Sequence, residues 1–315
     1  MKKNLWSAAK IAFTLFLVYW LLRSIEWSLV IHELRTLSWW LVGCYVALQF
    51  LSIFISVRKW QVIAAYKDIR FPFHEGLSQY LSGMFINNFL PSTIGGDIYR
   101  SLWLSKKTDT RSKAFSVILF DRFLGLWMTA FLALLGSIAL WPYVLDSALL
   151  QVSYFILLGF FGADILVTVA YCQPWFPKLL AKLPFPKIAE LIREIAHYTN
   201  WSIWVRGLSW SFLFAFVGLG VSNYLLFLAL GYALPFFQFL GLIFLMALYV
   251  SIPISINNIG LKEWAYVALF SLLGISLEVA VTAALLSRII QMMTSFLALP
   301  FYVAERRRLA AIQGE

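Results

Sequence analysis

The stretch NNFLPSTIGGDIYRSLWLSKK, residues 87–107, sits inside a strongly apolar chain, yet it carries Pro91, Gly95, Gly96 and the ionic groups Asp97, Arg100, Lys106 and Lys107. Turn formers and charges in the middle of apolar sequence need a physical reason. Of the 315 residues, 62% are hydrophobic and 13% charged. A soluble domain carries about 25% charged residues, so the surroundings of this stretch are not those of a soluble protein.

Several apolar runs reach the ~20 residues that a helix needs to cross a bilayer. The ~10-residue alternating segments of a membrane strand barrel are absent. The sequence therefore predicts an all-α polytopic membrane protein, one integral membrane domain over 1–315. Full spans are expected near 5–22, 38–57, 115–140, 148–171, 203–231 and 278–303. The opening MKKNLWSAAK precedes an apolar run with no small-residue cleavage site behind it, and it reads as an uncleaved first span.

Two apolar stretches do not fit a simple crossing, one from Phe71 to Leu104 and the other from Pro235 to Gly274. Arg58, Lys59, Lys67 and Arg70 precede the first; Lys106, Lys107, Arg111 and Lys113 follow it. Basic loops mark the cytoplasmic side. A kinked crossing would put one basic cluster outside, whereas a re-entrant hairpin keeps both inside and is favoured. Arg23 and Arg35 are then the external basic residues, Lys262 and Arg288 lie at membrane depth, and the other Lys and Arg lie inside with both termini. The order span, span, broken hairpin, span then occurs twice, over 1–140 and again, inverted, over 141–305. Inverted repeats with broken helices place a transport site where the repeats meet. In the cytoplasmic loop 172–202, Ile188, Leu191, Ile192 and Ile195 recur at helical spacing. This is an amphipathic helix, lying on the inner membrane surface or capping the bundle.

Irregular backbone at membrane depth is tolerated inside protein or along a wet cavity. Pro91 and Pro253 remove donors, Gly95, Gly96 and Gly260 permit turns, and Asn257 and Asn258 tolerate left-handed backbone. Both breaks should leave helix ends, and helix N-termini favour anions. Intramembrane charge is rare enough to suggest a site, although each group has a structural reading too. Asp97 with Arg100 is either an i,i+3 pair or part of a site. Lys262 and Glu263 are either interfacial or in a site. Asp121–Arg122 falls near the cytoplasmic surface. Arg288 is central and reads as a site residue, while Asp164 reads as a buried hydrogen-bonding group. Asn87 and Asn88 could equally satisfy freed backbone groups.

Catalytic and metal signatures are missing from the sequence. His32, His74 and His197 are scattered, and no P-loop, dinucleotide fingerprint or nucleophile elbow occurs. No cofactor, metal or catalytic residue is expected. The net charge of +10 is assigned to loops facing anionic lipid, not to a nucleic-acid partner.

Asn87, Leu90, Pro91, Gly95, Gly96, Asp97 and Arg100 resemble the N-x-x-L-P-x-x-x-G-G-D-x-x-R motif in the membrane domain of lysylphosphatidylglycerol synthases, a flippase-like domain family. Pro253, Ser255, Gly260, Lys262 and Glu263 resemble that family's P-x-S-x-G-G-x-G-x-R-E. Asp121–Arg122 falls where the family has an acidic–Arg pair, and Arg288 resembles its last-span arginine. Asn257 and Asn258 replace the family's paired glycines, and Lys262 replaces its arginine, keeping the charge and losing bidentate phosphate binding.

The resemblance implies a bacterial cytoplasmic-membrane flippase for an anionic or phosphate-linked lipid: a phospholipid, an aminoacyl-phospholipid or a polyprenyl-phosphate conjugate. Arg100, Lys262 and Arg288 would hold the head group, and Asp97 and Glu263 would orient those cations or bind an amino group. The alternative is a subunit that binds membrane lipid and presents it to a separately encoded lipid-modifying enzyme. The family's synthases carry a soluble transferase domain after the membrane part. Because the sequence stops at Glu315, the lipid-handling half alone is expected.

Overall fold

The computed structural model describes residues 12–17, 19–20, 22–89, 94–171, 186–252, 254–300 and 303. Expectations that fall on Pro91, Pro253, Cys172, the first residues and the tail arginines lie outside this set. Among the described residues the chain is helical, with no strand.

The helices are α1 (Ala12–Ser24), α2 (Trp27–Arg35), α3 (Trp39–Tyr66), α4 (Phe73–Phe89), α5 (Gly95–Ser105), α6 (Arg111–Ala139), α7 (Trp141–Asp146), α8 (Ala148–Tyr171), α9 (Pro186–Ala196), α10 (Trp201–Ala229), α11 (Phe236–Ser251), α12 (Leu261–Phe270) and α13 (Leu277–Phe296). Five of them are long and apolar enough to cross a membrane: α3, α6, α8, α10 and α13. Large apolar side chains such as Trp40, Phe155 and Leu166 point outward, as expected for a protein solvated by lipid rather than water.

The expected first span is described from Ala12 and bends by 78° into α2. Residues 23–37 had read as an external loop with only Arg23 and Arg35 as basic residues. Trp27–Arg35 instead forms a helix whose Val30 packs with Ile25 and Val281, so an apolar stripe prevails over the polar composition. α3 also runs past its expected end at 57 to Tyr66, which places Lys59 inside a helix rather than in a loop.

Helix starts follow local chemistry. The side chains of Thr110, Asn200 and Ser276 accept backbone N–H groups of the first turns of α6, α10 and α13. In the middle of α10, Phe214–Val221 is a π-helical segment. Gln49 of α3 inserts there, its Nε2 donating to the Gly218 carbonyl at 3.2 Å and to Ser222 Oγ at 3.1 Å. A π-segment turns side chains off their α-helical register and is frequent at functional positions.

Both broken stretches fold back on themselves. α4 and α5 pack together, and their outer ends are joined by Lys107 Nζ to Glu75 Oε2 at 2.7 Å. α11 and α12 do the same, with the Phe239 and Phe270 rings 5.3 Å apart at one end and Tyr249 and Trp264 6.2 Å apart near the other. The first pair packs closely at Gly83 and Gly96. A Cβ on Gly96 would run into the Gly83 carbonyl, so a larger residue cannot occupy that crossing without moving backbone. α6 borders both pairs, packing against α5 and lying along α11.

α9 packs on α6 and is tied to the end of α3 by Lys67 Nζ to Glu194 Oε2 at 2.8 Å. Tyr198 follows it, stacked on Phe120 at 3.9 Å and on Tyr66 at 5.3 Å. Burial pushes the Tyr198 phenol above its ordinary pKa.

Candidate functional site

The inner ends of the two folded-back pairs line a single cavity of about 440 Å³. Asn87 and Arg100 reach it from the first pair, Asn257, Asn258 and Lys262 from the second, and Asp121, Arg122 and Arg288 from α6 and α13. The break in the first stretch and the break in the second, about 160 residues apart in sequence, thus meet.

The first cluster is built on α5 and α6. Asp97, in the first turn of α5, accepts from Arg100 Nη2 through Oδ1 and from Arg122 Nε through Oδ2, both at 2.5 Å. Arg100 is buried, and its guanidinium carbon lies 4.8 Å from the Tyr80 ring centroid and 5.4 Å from that of Trp60. Aromatic faces replace part of the lost hydration of the cation. Its Nη1 is sealed from solvent and, among the described residues, has no hydrogen-bond partner. Arg122 is half exposed. Gly95 opens α5, and the Gly96 amide donates to Asn87 Oδ1 at 2.6 Å. Pro91 lies outside the described residues.

Asp121, expected near the cytoplasmic surface, is buried within the protein and paired with Lys59 Nζ at 2.9 Å, and the same ammonium reaches the Asp121 carbonyl at 3.1 Å. Lys59 had read as a loop cation, but it lines the cavity. The sequence did hold a signal for it. Tyr45, Gln49, Ser52, Ser56 and Lys59 recur every three or four residues, a polar stripe on one face of an otherwise apolar helix; Tyr45, Gln49, Ser56 and Lys59 all line the cavity. Tyr80, Asn223, Tyr266 and Gln291 also line it and were not anticipated. Asn223 is held by the Tyr266 hydroxyl, which donates to its Oδ1 at 2.8 Å.

The second cluster is built on the turn before α12. Asn257 and Asn258 adopt left-handed backbone with φ of 47° and 56°, and Gly260 has φ of 78°. Glu263 is buried; its Oε2 accepts from the Gly260 amide at 2.8 Å and its Oε1 from Arg288 Nε at 2.9 Å. Arg288 also donates from Nη1 to the Asn257 carbonyl at 3.1 Å and from Nη2 to the Asn258 carbonyl at 2.9 Å. It therefore braces the turn more than it faces the cavity. Lys262 differs: among the described residues its ammonium has no hydrogen-bond or ion-pair partner. Ser255 is buried next to the turn, its hydroxyl without a hydrogen-bond partner among the described residues.

Anion-binding helix ends were expected at both breaks. At each, a side chain of the chain itself takes an early amide: Asn87 at α5 and Glu263 at α12. At both breaks it is a cationic side chain, Arg100 or Lys262, that lines the cavity. Asp164 of α8 stands apart and accepts from Trp127 Nε1 at 3.2 Å. No cluster of three or more metal-ligating side chains occurs among the described residues.

The profile of the lysylphosphatidylglycerol synthase TM region matches residues 7–298. The chain belongs to this family. It is also similar to the UPF0104 membrane protein PH1989 of Pyrococcus horikoshii, with 24% identity over an alignment covering 98% of each chain. The family match spans both broken stretches and all five long helices. Asn257 and Asn258, which stand where the motif resemblance expects paired glycines, take the left-handed backbone that glycines adopt freely.

Proposed function

We propose that this protein binds the phosphate-bearing head group of a membrane lipid in the cavity between its two helix breaks and carries it between leaflets of the cytoplasmic membrane. The observation that supports this best is that a cationic side chain from each break, Arg100 from the first and Lys262 from the second, lines one cavity. Cationic side chains in a membrane protein's interior are costly, and a lipid phosphate is the abundant membrane group that would pair them. On this reading the protein is a transporter and not an enzyme.

In this proposal α4–α5 enters as a re-entrant hairpin from the cytoplasm and α11–α12 from the opposite face. The bent α1–α2 segment counts as a sixth span, and both termini are cytoplasmic. The halves are inverted repeats. In support, Asp97 pairs with the arginine 25 residues after it, Arg122, and Glu263 pairs with the arginine 25 residues after it, Arg288. Each acid sits in the first turn of the second arm of its pair, and each arginine sits on the next long helix. Alternating exposure of the cavity would come from rocking of one repeat against the other.

The test is head-group movement of fluorescently labelled phospholipid in proteoliposomes. The protein should accelerate loss of leaflet asymmetry over empty vesicles, and Arg100→Ala and Lys262→Ala should slow it. Equal rates for wild type and both variants would remove the transport role. Binding without movement would favour a subunit that presents lipid to a separate transferase.

A further inference from the structure

Arg288 gathers three cavity-lining side chains at the second break. Its Nη1 holds the Asn257 carbonyl at 3.1 Å, and its Nε holds Glu263, the residue after Lys262, at 2.9 Å. Gln291 follows Arg288 by three residues on α13, so the two side chains are neighbours on one helix face. Lys262, Asn257 and Gln291 all line the cavity. Among the described residues none of the three side chains has a hydrogen-bond partner. Gln291 is exposed, and the polar ends of Lys262 and Asn257 keep accessible surface, unlike Arg100 Nη1. No carboxylate is free beside them. Both oxygens of Glu263 are taken by Arg288 and the Gly260 amide. Asp121 is the one carboxylate among the described residues that line the cavity, and Lys59 pairs with it.

Resting on the lipid-binding reading above, we infer that the second break reads a head group that is anionic at its phosphate and hydroxylated beyond it, such as glycerol, inositol or a sugar in phosphodiester linkage. Lys262 meets the phosphate as a point charge. Gln291 and Asn257 determine specificity. Each amide offers a donor and an acceptor. A phosphate oxygen answers only the donor, whereas a hydroxyl answers both. An ammonium on the ligand would also answer the acceptors. It would enter beside Lys262 and Arg288, however, with no free carboxylate to receive it, and like charge in a desolvated site is strongly unfavourable. Aminoacylated head groups are therefore rejected. The size agrees: the cavity of about 440 Å³ equals roughly 15 water volumes of ~30 Å³, more than a phosphate group alone fills.

The test uses the full chain in a neutral detergent. Dissociation constants are measured for dioleoyl phosphatidylglycerol, for its lysyl ester and for dioleoyl phosphatidylpropanol, which keeps the charge and the carbon chain of the head group but lacks its hydroxyls. Soluble glycerol 3-phosphate is the fourth probe. Wild type should bind phosphatidylglycerol about 10-fold tighter than phosphatidylpropanol, the scale of one or two net hydrogen bonds, and the lysyl ester weakest. Gln291→Leu should bring phosphatidylglycerol and phosphatidylpropanol within about twofold of each other, and Asn257→Gly should close part of the gap. Lys262→Met should weaken both lipids alike and keep their ratio. Because Gln291 and Lys262 have no partner to strand among the described residues, their replacement leaves the fold intact.

Equal affinity of wild type for phosphatidylglycerol and phosphatidylpropanol, a lysyl ester bound as tightly as phosphatidylglycerol, or an unchanged ratio in Gln291→Leu would overturn the inference while leaving lipid binding in place. A ratio that collapses as far in Lys262→Met as in Gln291→Leu would overturn the division of phosphate and hydroxyls between these residues. Glycerol 3-phosphate bound as tightly as phosphatidylglycerol would overturn the lipid as the source of the head group. Absence of binding by every lipid would overturn the proposed function itself.

Discussion

Arg288 holds Glu263 through Nε at 2.9 Å and spends its two Nη groups on the carbonyls of Asn257 and Asn258. One side chain of α13 thus fixes the acid of α12 and the irregular backbone before it. Such bracing suits a membrane protein, in which carbonyls shielded from water need partners from the chain itself.

That geometry makes Arg288 a brace, with consequences for stability first. Arg288→Met strands a buried carboxylate and two carbonyls, and removing one partner of a buried pair costs about 3–5 kcal/mol. Unfolding in mixed micelles should show a loss of that order. Arg288→Lys keeps charge but cannot span Glu263 and both carbonyls, so it should recover only part. A wild-type melting curve for Arg288→Met would show that the brace is not structural.

The Lys59–Asp121 pair allows a cleaner measurement. Both partners are buried, and they meet at 2.9 Å. Lys59→Met and Asp121→Leu should each destabilise by about 3–5 kcal/mol, whereas losing both leaves no orphan charge and is often close to neutral. The double-mutant cycle should therefore be strongly non-additive. Additive losses would mean that each residue is held by other groups.

Close packing at the first break is tested at Gly96, where a Cβ would meet the Gly83 carbonyl. Gly96→Ala should cost about 1–3 kcal/mol, as overpacking does. Gly159 of α8 is the control, with nothing within 4 Å of the added carbon. There alanine should be neutral or stabilise by up to about 1 kcal/mol through helix propensity. Melting temperatures in detergent separate the two, and equal responses would refute the close approach.

Several of these features were legible in the sequence because charge and turn residues at membrane depth are expensive enough to stand out. Asp97, Arg100, Lys262, Glu263 and Arg288 were visible for that reason. Lys59 was not, because it follows Arg58 at the end of an apolar run, and two adjacent cations look like the start of a loop. Only the stripe from Tyr45 to Lys59 shows that the helix continues. α2 escaped for the opposite reason, its polar residues masking a narrow apolar stripe around Val30. Tyr80 and Tyr266 carry no sequence signal, since aromatic residues abound in this chain and their placement depends on which helices meet. The Asp97–Arg122 and Glu263–Arg288 equivalence also needed three dimensions, because the residues flanking each acid differ.

The turn at Asn257 offers a last prediction, one that joins sequence to backbone. This residue sits at φ 47° and ψ 32°, where most residues with a Cβ are strained by roughly 1–2 kcal/mol and Asn less so. The Arg288 contact is to the Asn257 carbonyl, not its side chain. Asn257→Gly, the residue the motif resemblance leads one to expect, should therefore keep both stability and the brace. Asn257→Val, branched at Cβ, should lose about 1–2 kcal/mol or more and weaken the hold on Arg288. Unfolding midpoints of the two variants decide the matter. If glycine destabilises as much as valine, the Asn257 side chain, rather than its left-handed backbone, is what this position requires.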